Sequence, residues 1–439
     1  MRVVESFAAF AQHYRRQPLE GAVLHHAKRA VIDWYAAVYP GSIAPPGILL
    51  EKSIADELDH GSAFLVSGRK ATLRAAALIN GTAAHTAEFD DIFRDAIYHP
   101  GAPTIAAALS LAQSGSLSGE QFLRGVIVGY EISTRIGAAM GRAHYRYWHN
   151  TGTIGCFGAA AAAAELLGLD AGRFAHALAT VATFSAGLQQ AFRMDSMSKP
   201  LHAGRAAEAG VTAALAAREG VTGSLDVLEG EAGFGRAMGD APDWSRAIAT
   251  LGRDFHITRM TFKNHGCCGH TFAAIDGALE LKKRMGIQAA EVERVDVATY
   301  QAALDVAGYE TLRTPAEARF SLKYVVATAL THGNVRLAAF EPARLENAET
   351  RQVMKKINLT VDPELDAAFP GKRAARVAIQ ARGRREEILQ PTRKGDPDLP
   401  LTDEEVGDKF LELASPVLGV RKAREQLAKL WRLEKEARL

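Results

Sequence analysis

Residues 85–101, HTAEFDDIFRDAIYHPG, hold Glu88, Asp90, Asp91, Asp95 and His99. Ionisable side chains packed this densely are rare in a core unless paired, and they recur where protons are moved. His99 is a candidate general acid or base, with Glu88 or Asp91 holding its ring. The plainer alternative makes the aspartates helix caps and His99 a turn residue. The stretch closes in His-Pro-Gly, which cannot continue a helix.

Four further polar islands interrupt apolar, alanine-rich sequence: HYRYWHNTGTIG (144–155), RMDSMSKPLHAG (193–204), KNHGCCGHTF (263–272) and FSLKY (320–324). His149 stands before Asn150 and Thr151, which suit the start of a helix whose free amides could face an anion. That makes His149 a candidate catalytic group and Thr151 a candidate substrate contact. The alternative is plain capping under an aromatic lid. Lys199, read as lying in a loop before a helix from Gly204, suits capture of a carboxylate, with Arg193 and His202 beside it. The alternative is a solvated surface loop.

In the third island Lys263 is a candidate substrate contact and His270 a candidate acid or base. His265, Cys267, Cys268 and His270 invite a zinc reading, but their spacing lacks a second ligand pair, so no metal is expected. No P-loop, dinucleotide fingerprint or GxSxG elbow is present. The islands are expected to converge on one pocket.

The elements that must position these groups follow from periodicity. Helical spacing is read over 23–38, stopping before Pro40, and over 73–87, 103–114, 120–139, 158–167, 173–189 and 204–219. The all-small run 159–164 belongs at the centre of a bundle. After about residue 260, 292–299 and 375–382 alternate as strands do, with 357–361 a weaker candidate; 321–330 and 348–356 read as helices. Residues 391–400 read as a Pro/Gly-rich linker. TDEE at 402–405 then opens a helix to 414, and a charged helix follows over about 422–437. The predicted class is mainly α: a large helical domain (1–258), an inserted smaller α+β lid (259–395), and C-terminal helices (396–439) returning to the first domain.

The 439 residues exceed one hydrophobic core. Hydrophobic content is 48% and charged content 23%, ordinary for a globular chain. A net charge of +2 gives no reason to expect nucleic acid or a membrane surface as partner. No stretch approaches the ~20 apolar residues of a bilayer span. The N-terminus reads as an amphipathic helix rather than a signal peptide, and three cysteines form no disulfide framework. The cytoplasm is the expected location.

Taken in order, the islands resemble the MmgE/PrpD family, whose blocks run NGxxAHxxDFDD…HPG, HYxxGWHxTGTxG, MxKxLHxGxAAxxG, KxYPxCxxxH…D and FSLxYxxAxAL. Here stand Asn80-Gly81, Ala84-His85, Glu88-Phe89-Asp90-Asp91 and His99-Pro100-Gly101. His144-Tyr145, His149 to Thr153, Met197 to Gly204, and Phe320-Ser321-Leu322 with Tyr324 follow. The resemblance covers nearly the whole chain. It implies a helical domain with an α+β lid, a homodimer, and a cofactor-free site between the domains for small di- or tricarboxylates. The implied site is the acidic cluster, His99, His149, Lys199 and a lid histidine.

Three positions depart from the pattern. Glu88 replaces the first aspartate of DFDD, and Ile92 replaces a small hydroxyl residue. Phe272 stands where the lid histidine is usual, with His270 two residues earlier. The expected function is a lyase of the 2-methylcitrate dehydratase type. The alternatives are epimerisation or decarboxylation of a related dicarboxylate, and a family member that binds a carboxylate without turnover.

Overall fold

The computed structural model describes residues 1–192, 196–369 and 371–439. The chain divides into two compact units: Met1–Thr261 with Thr402–Leu439, and Phe262–Leu401.

The first unit is a helical bundle. At its centre lies the helix Gly155–Leu166, whose run of six alanines is fully buried. It packs against the helices Gly101–Ser114, Gly119–Tyr145, Ala171–Ala182 and Ser198–Arg218. Small side chains set the spacing: a Cβ added at Gly210 would stand 2.4 Å from Ala159 Cβ. The helix Leu73–Thr86 approaches Ser198–Arg218 just as closely, since a Cβ on Gly204 would fall 2.2 Å from the Leu78 carbonyl oxygen. Thr402 and Glu405 form the expected capping box on Asp403–Leu418, which packs along Gly21–Ser42.

Several boundaries differ from the sequence reading. Gly21–Ser42 runs through Pro40, which sits in its last turn and forfeits one backbone bond there. Ser198–Arg218 starts six residues before Gly204, because Pro200 falls in the first turn, where its missing N–H costs nothing. Lys199 and His202 therefore stand on a helix, not in a loop. The last helix is shorter than expected, Val420–Leu430. A small antiparallel pair, Leu58–Phe64 with Lys70–Ala71, was not anticipated.

The second unit carries a four-stranded sheet in the order Ile357–Val361, Val292–Thr299, Ala375–Ala381, Arg384–Gln390. Only the first pair is parallel. The helix Phe272–Met285 packs on the last two strands. Arg384–Gln390 was not anticipated: it is an edge strand whose charged residues hide the alternation. The stretch read as a linker is instead anchored. Arg393 is fully buried, forks onto both Asp396 oxygens at 2.8 and 2.6 Å, and donates to the Gly269 carbonyl at 2.9 Å. No helix among the described residues is long and apolar enough to cross a membrane.

Candidate active site

In the first unit the acidic stretch leaves the helix Leu73–Thr86 and enters Gly101–Ser114. Glu88 sits at φ 56°, in the left-handed region, which a residue with a Cβ adopts only under local constraint. From there Asp90 turns inward. Its Oδ2 lies 2.7 Å from His85 Nδ1 and 3.3 Å from His99 Nδ1, so one buried carboxylate faces two imidazoles. Burial alone would raise the Asp90 pKa, but the two histidines hold it well below the usual carboxylate range. An anionic Asp90 accepts an Nδ1 proton from His99, which leaves Nε2 as the ring's chemically available nitrogen.

The His85 and His99 rings meet edge to face at 4.7 Å, and His149 stacks on His85 at 5.4 Å. His149 itself caps the short helix Asn150–Thr153, a place the sequence reading gave to Asn150 and Thr151. Its backbone N–H donates to Gly187 O at 2.9 Å. Its ring lies against Phe192 at 4.7 Å, and its Nδ1 is 3.0 Å from His202 Nδ1. Of two facing ring nitrogens one must donate and the other accept. Burial first, then the neighbouring cations, holds His149 well below the ordinary histidine value and lowers His202 to about 4. The pair is neutral near pH 7.

Lys199 pairs with Glu88, its ammonium 5.2 Å from the centre of the Phe192 ring. Thr151 Oγ1 accepts from the His99 backbone N–H at 3.3 Å. Asp91 faces elsewhere: its Oδ1 accepts from Gly101 N–H at 3.0 Å and its Oδ2 from Tyr130 OH at 2.8 Å. Burial and the nearby Asp33 push the Asp91 pKa up to about 8. The expected Arg193 contact lies outside the described residues.

In the second unit His270 Nδ1 is 2.9 Å from Tyr300 OH, and Tyr300 stacks on Phe369 at 4.4 Å. His265 Nε2 is 2.8 Å from Asp276 Oδ1. Lys263 is buried. Phe272 lies in that unit's apolar core, its ring edge-on to His265 at 5.1 Å. Burial pushes the Cys267 thiol up to about 12. The ligand atoms of His85, Asp90 and His99 lie within 4.8 Å of one another, and this is the one such group among the described residues.

Two family models match the chain: the MmgE/PrpD N-terminal domain over residues 5–247 and the C-terminal domain over 265–435. The chain belongs to the MmgE/PrpD family. It is similar to the cis-aconitate decarboxylase-like protein oryM of Aspergillus oryzae, 28% identical across 90% of this chain and 87% of that protein. Human cis-aconitate decarboxylase is 26% identical across 82% of this chain and 77% of its own length. Escherichia coli 2-methylcitrate dehydratase matches at 29% identity over 116 residues, 25% of this chain and 24% of its own. With relatives so named, this MmgE/PrpD member is an enzyme of the lyase type.

The structure thus gathers His99, His149, His202, Lys199, Glu88 and Thr151 around one cluster, with Asp91 behind it. Sequence reasoning gave no role to His85, Tyr130, Asp33 or Lys409. His85 had a signal, its place in the acidic stretch. The others lie in helical runs away from the polar islands and carry none.

Proposed function

We propose that this enzyme performs proton-transfer lyase chemistry on a small di- or tricarboxylate, with decarboxylation of a cis-aconitate-like substrate as its first reading. The observation that carries it is the histidine cluster: His99 backed by anionic Asp90, beside the neutral His149–His202 pair and the Lys199 ammonium. Lys199, with His202, anchors one substrate carboxylate by charge-assisted hydrogen bonds. The bond to a second carboxylate breaks, carbon dioxide leaves, and its electron pair enters the conjugated system. A protonated histidine then delivers its proton to carbon. His99 is assigned that role, since Asp90 stabilises its imidazolium; decarboxylation removes no proton from carbon, so His149 contacts the substrate here and serves as base only in the dehydration below. The chemistry uses only side chains of this chain.

Dehydration of a 2-methylcitrate-like hydroxy acid is the second reading. There a base takes the proton next to a carboxylate and an acid protonates the departing hydroxide. The neutral histidine pair suits the first step. The extended similarity to cis-aconitate decarboxylases, against a quarter-length match to the dehydratase, supports the order of the two. The test is proton NMR in D2O with cis-aconitate, citrate, 2-methylcitrate and iminodisuccinate. Release of carbon dioxide with one deuterium at carbon supports the first reading. Loss of water supports the second, and deuterium exchange without net change an epimerase. Silence with all four overturns the proposal for these substrates. The homodimer implied by the family resemblance is read from light scattering.

A further inference from the structure

Beneath the acidic stretch lies a charge that the chemistry above does not use. Lys409, on the helix Asp403–Leu418, is fully buried. Its ammonium donates to Asp33 Oδ1 at 2.6 Å and to the Phe89 carbonyl at 2.7 Å. It also lies 4.6 Å from the centre of the Phe89 ring. Asp33, on Gly21–Ser42, is as deeply buried. Removing two charges from water is costly, and an apolar pair of similar volume often serves stability as well. Stability is therefore a poor account of Lys409.

The Phe89 carbonyl offers a better one. It belongs to the peptide joining Phe89 to Asp90, immediately after the left-handed turn at Glu88. Rotating that peptide re-aims Asp90, which meets His85 and His99. Asp33 faces the same region, and Asp91 and Tyr130 are the other ionisable groups packed there.

We infer that Lys409 is a positioning residue: its ammonium, balanced by Asp33, clamps the Phe89–Asp90 peptide and so sets the aim of the Asp90 carboxylate on its two histidines. The inference rests on the lyase reading for its kinetic consequence but not for its geometry.

The test compares Asp33→Asn alone with Asp33→Asn/Lys409→Met. Both lack the carboxylate, and only the second lacks the donor to the Phe89 carbonyl. Two readouts are taken: kcat on whichever substrate the NMR panel identifies, and the downfield imidazole N–H resonances of His85 and His99 in protein labelled with 15N-histidine. Relative to Asp33→Asn, the double variant is expected to lose at least tenfold in kcat and to shift or lose those resonances, with an unchanged far-ultraviolet spectrum. Matching resonances and kcat would overturn the inference. If the Met variant does not fold, Lys409→Gln in the same background replaces it, its shorter amide failing to reach the carbonyl. If wild-type protein turns over nothing, the lyase reading fails and the resonances alone decide the positioning role.

Discussion

Asp91→Asn is expected to stabilise the protein, by an amount that grows with pH. Asp91 is buried to 2% exposure, and its pKa rises from 3.8 to about 8. Between those values the folded state holds a proton that the unfolded state has released. Stability from this group is full below pH 3.8 and falls by about 1.4 kcal/mol per pH unit as pH climbs toward 8. Above 8 the loss is complete, near 6 kcal/mol as an order of magnitude. Asparagine cannot ionise, yet its carbonyl can accept from Gly101 N–H and its amide can donate to Tyr130 OH. The assay is guanidinium unfolding of both proteins at pH 5, 6, 7 and 8. Every other titrating group is common to both, so the difference between the two curves isolates Asp91. That difference should widen by about 4 kcal/mol from pH 5 to 8. A difference that stays flat would mean Asp91 is ionised in the fold, and would refute the argument from burial and Asp33.

Other outcomes follow from the same geometry. His149→Ala and His99→Ala should each lower kcat by about 10²–10⁴ with the fold kept, checked by turnover and circular dichroism. Lys199→Met should raise KM more than it lowers kcat if the ammonium anchors a substrate carboxylate; an unchanged KM would remove it from binding. Gly210→Ala should cost about 1–3 kcal/mol in chemical unfolding, since its new methyl meets Ala159. His256, lowered to about 4 by burial and then Arg135, works opposite to Asp91: its contribution is present above pH 6.5 and fades on acidification to 4. His256→Gln should flatten the stability slope in that window.

The helical bundle was legible because alanine-rich runs with apolar residues at helical spacing have few other ways to bury themselves. The strand Val292–Thr299 was legible from alternation, whereas Arg384–Gln390 was not, because an edge strand tolerates charge on most of its positions. Lys199 shows how a site residue can be found while its setting is misjudged: the proline that suggested a loop instead begins a helix. Arg393 and Lys409 show the converse. In sequence each is one basic residue among charged neighbours, and only the fold reveals that each is buried against an aspartate. Pairs such as Lys409 with Asp33 join residues hundreds of positions apart, so no local pattern announces them.

The facing Nδ1 atoms of His149 and His202 carry a consequence for how activities diverge on one scaffold. With a single hydrogen between those two nitrogens, protonation at one ring dictates the tautomer of the other, and so whether His149 presents a lone pair or an N–H at its far edge. A lone pair removes a proton from carbon; an N–H supplies one. Passing the hydrogen across the 3.0 Å Nδ1···Nδ1 contact, with the compensating proton lost from one outer nitrogen and gained at the other, would exchange these roles without replacing any group that touches the substrate. Substitutions that bias the His202 tautomer, such as a new donor near its outer nitrogen, could therefore redirect the reaction from outside the binding surface.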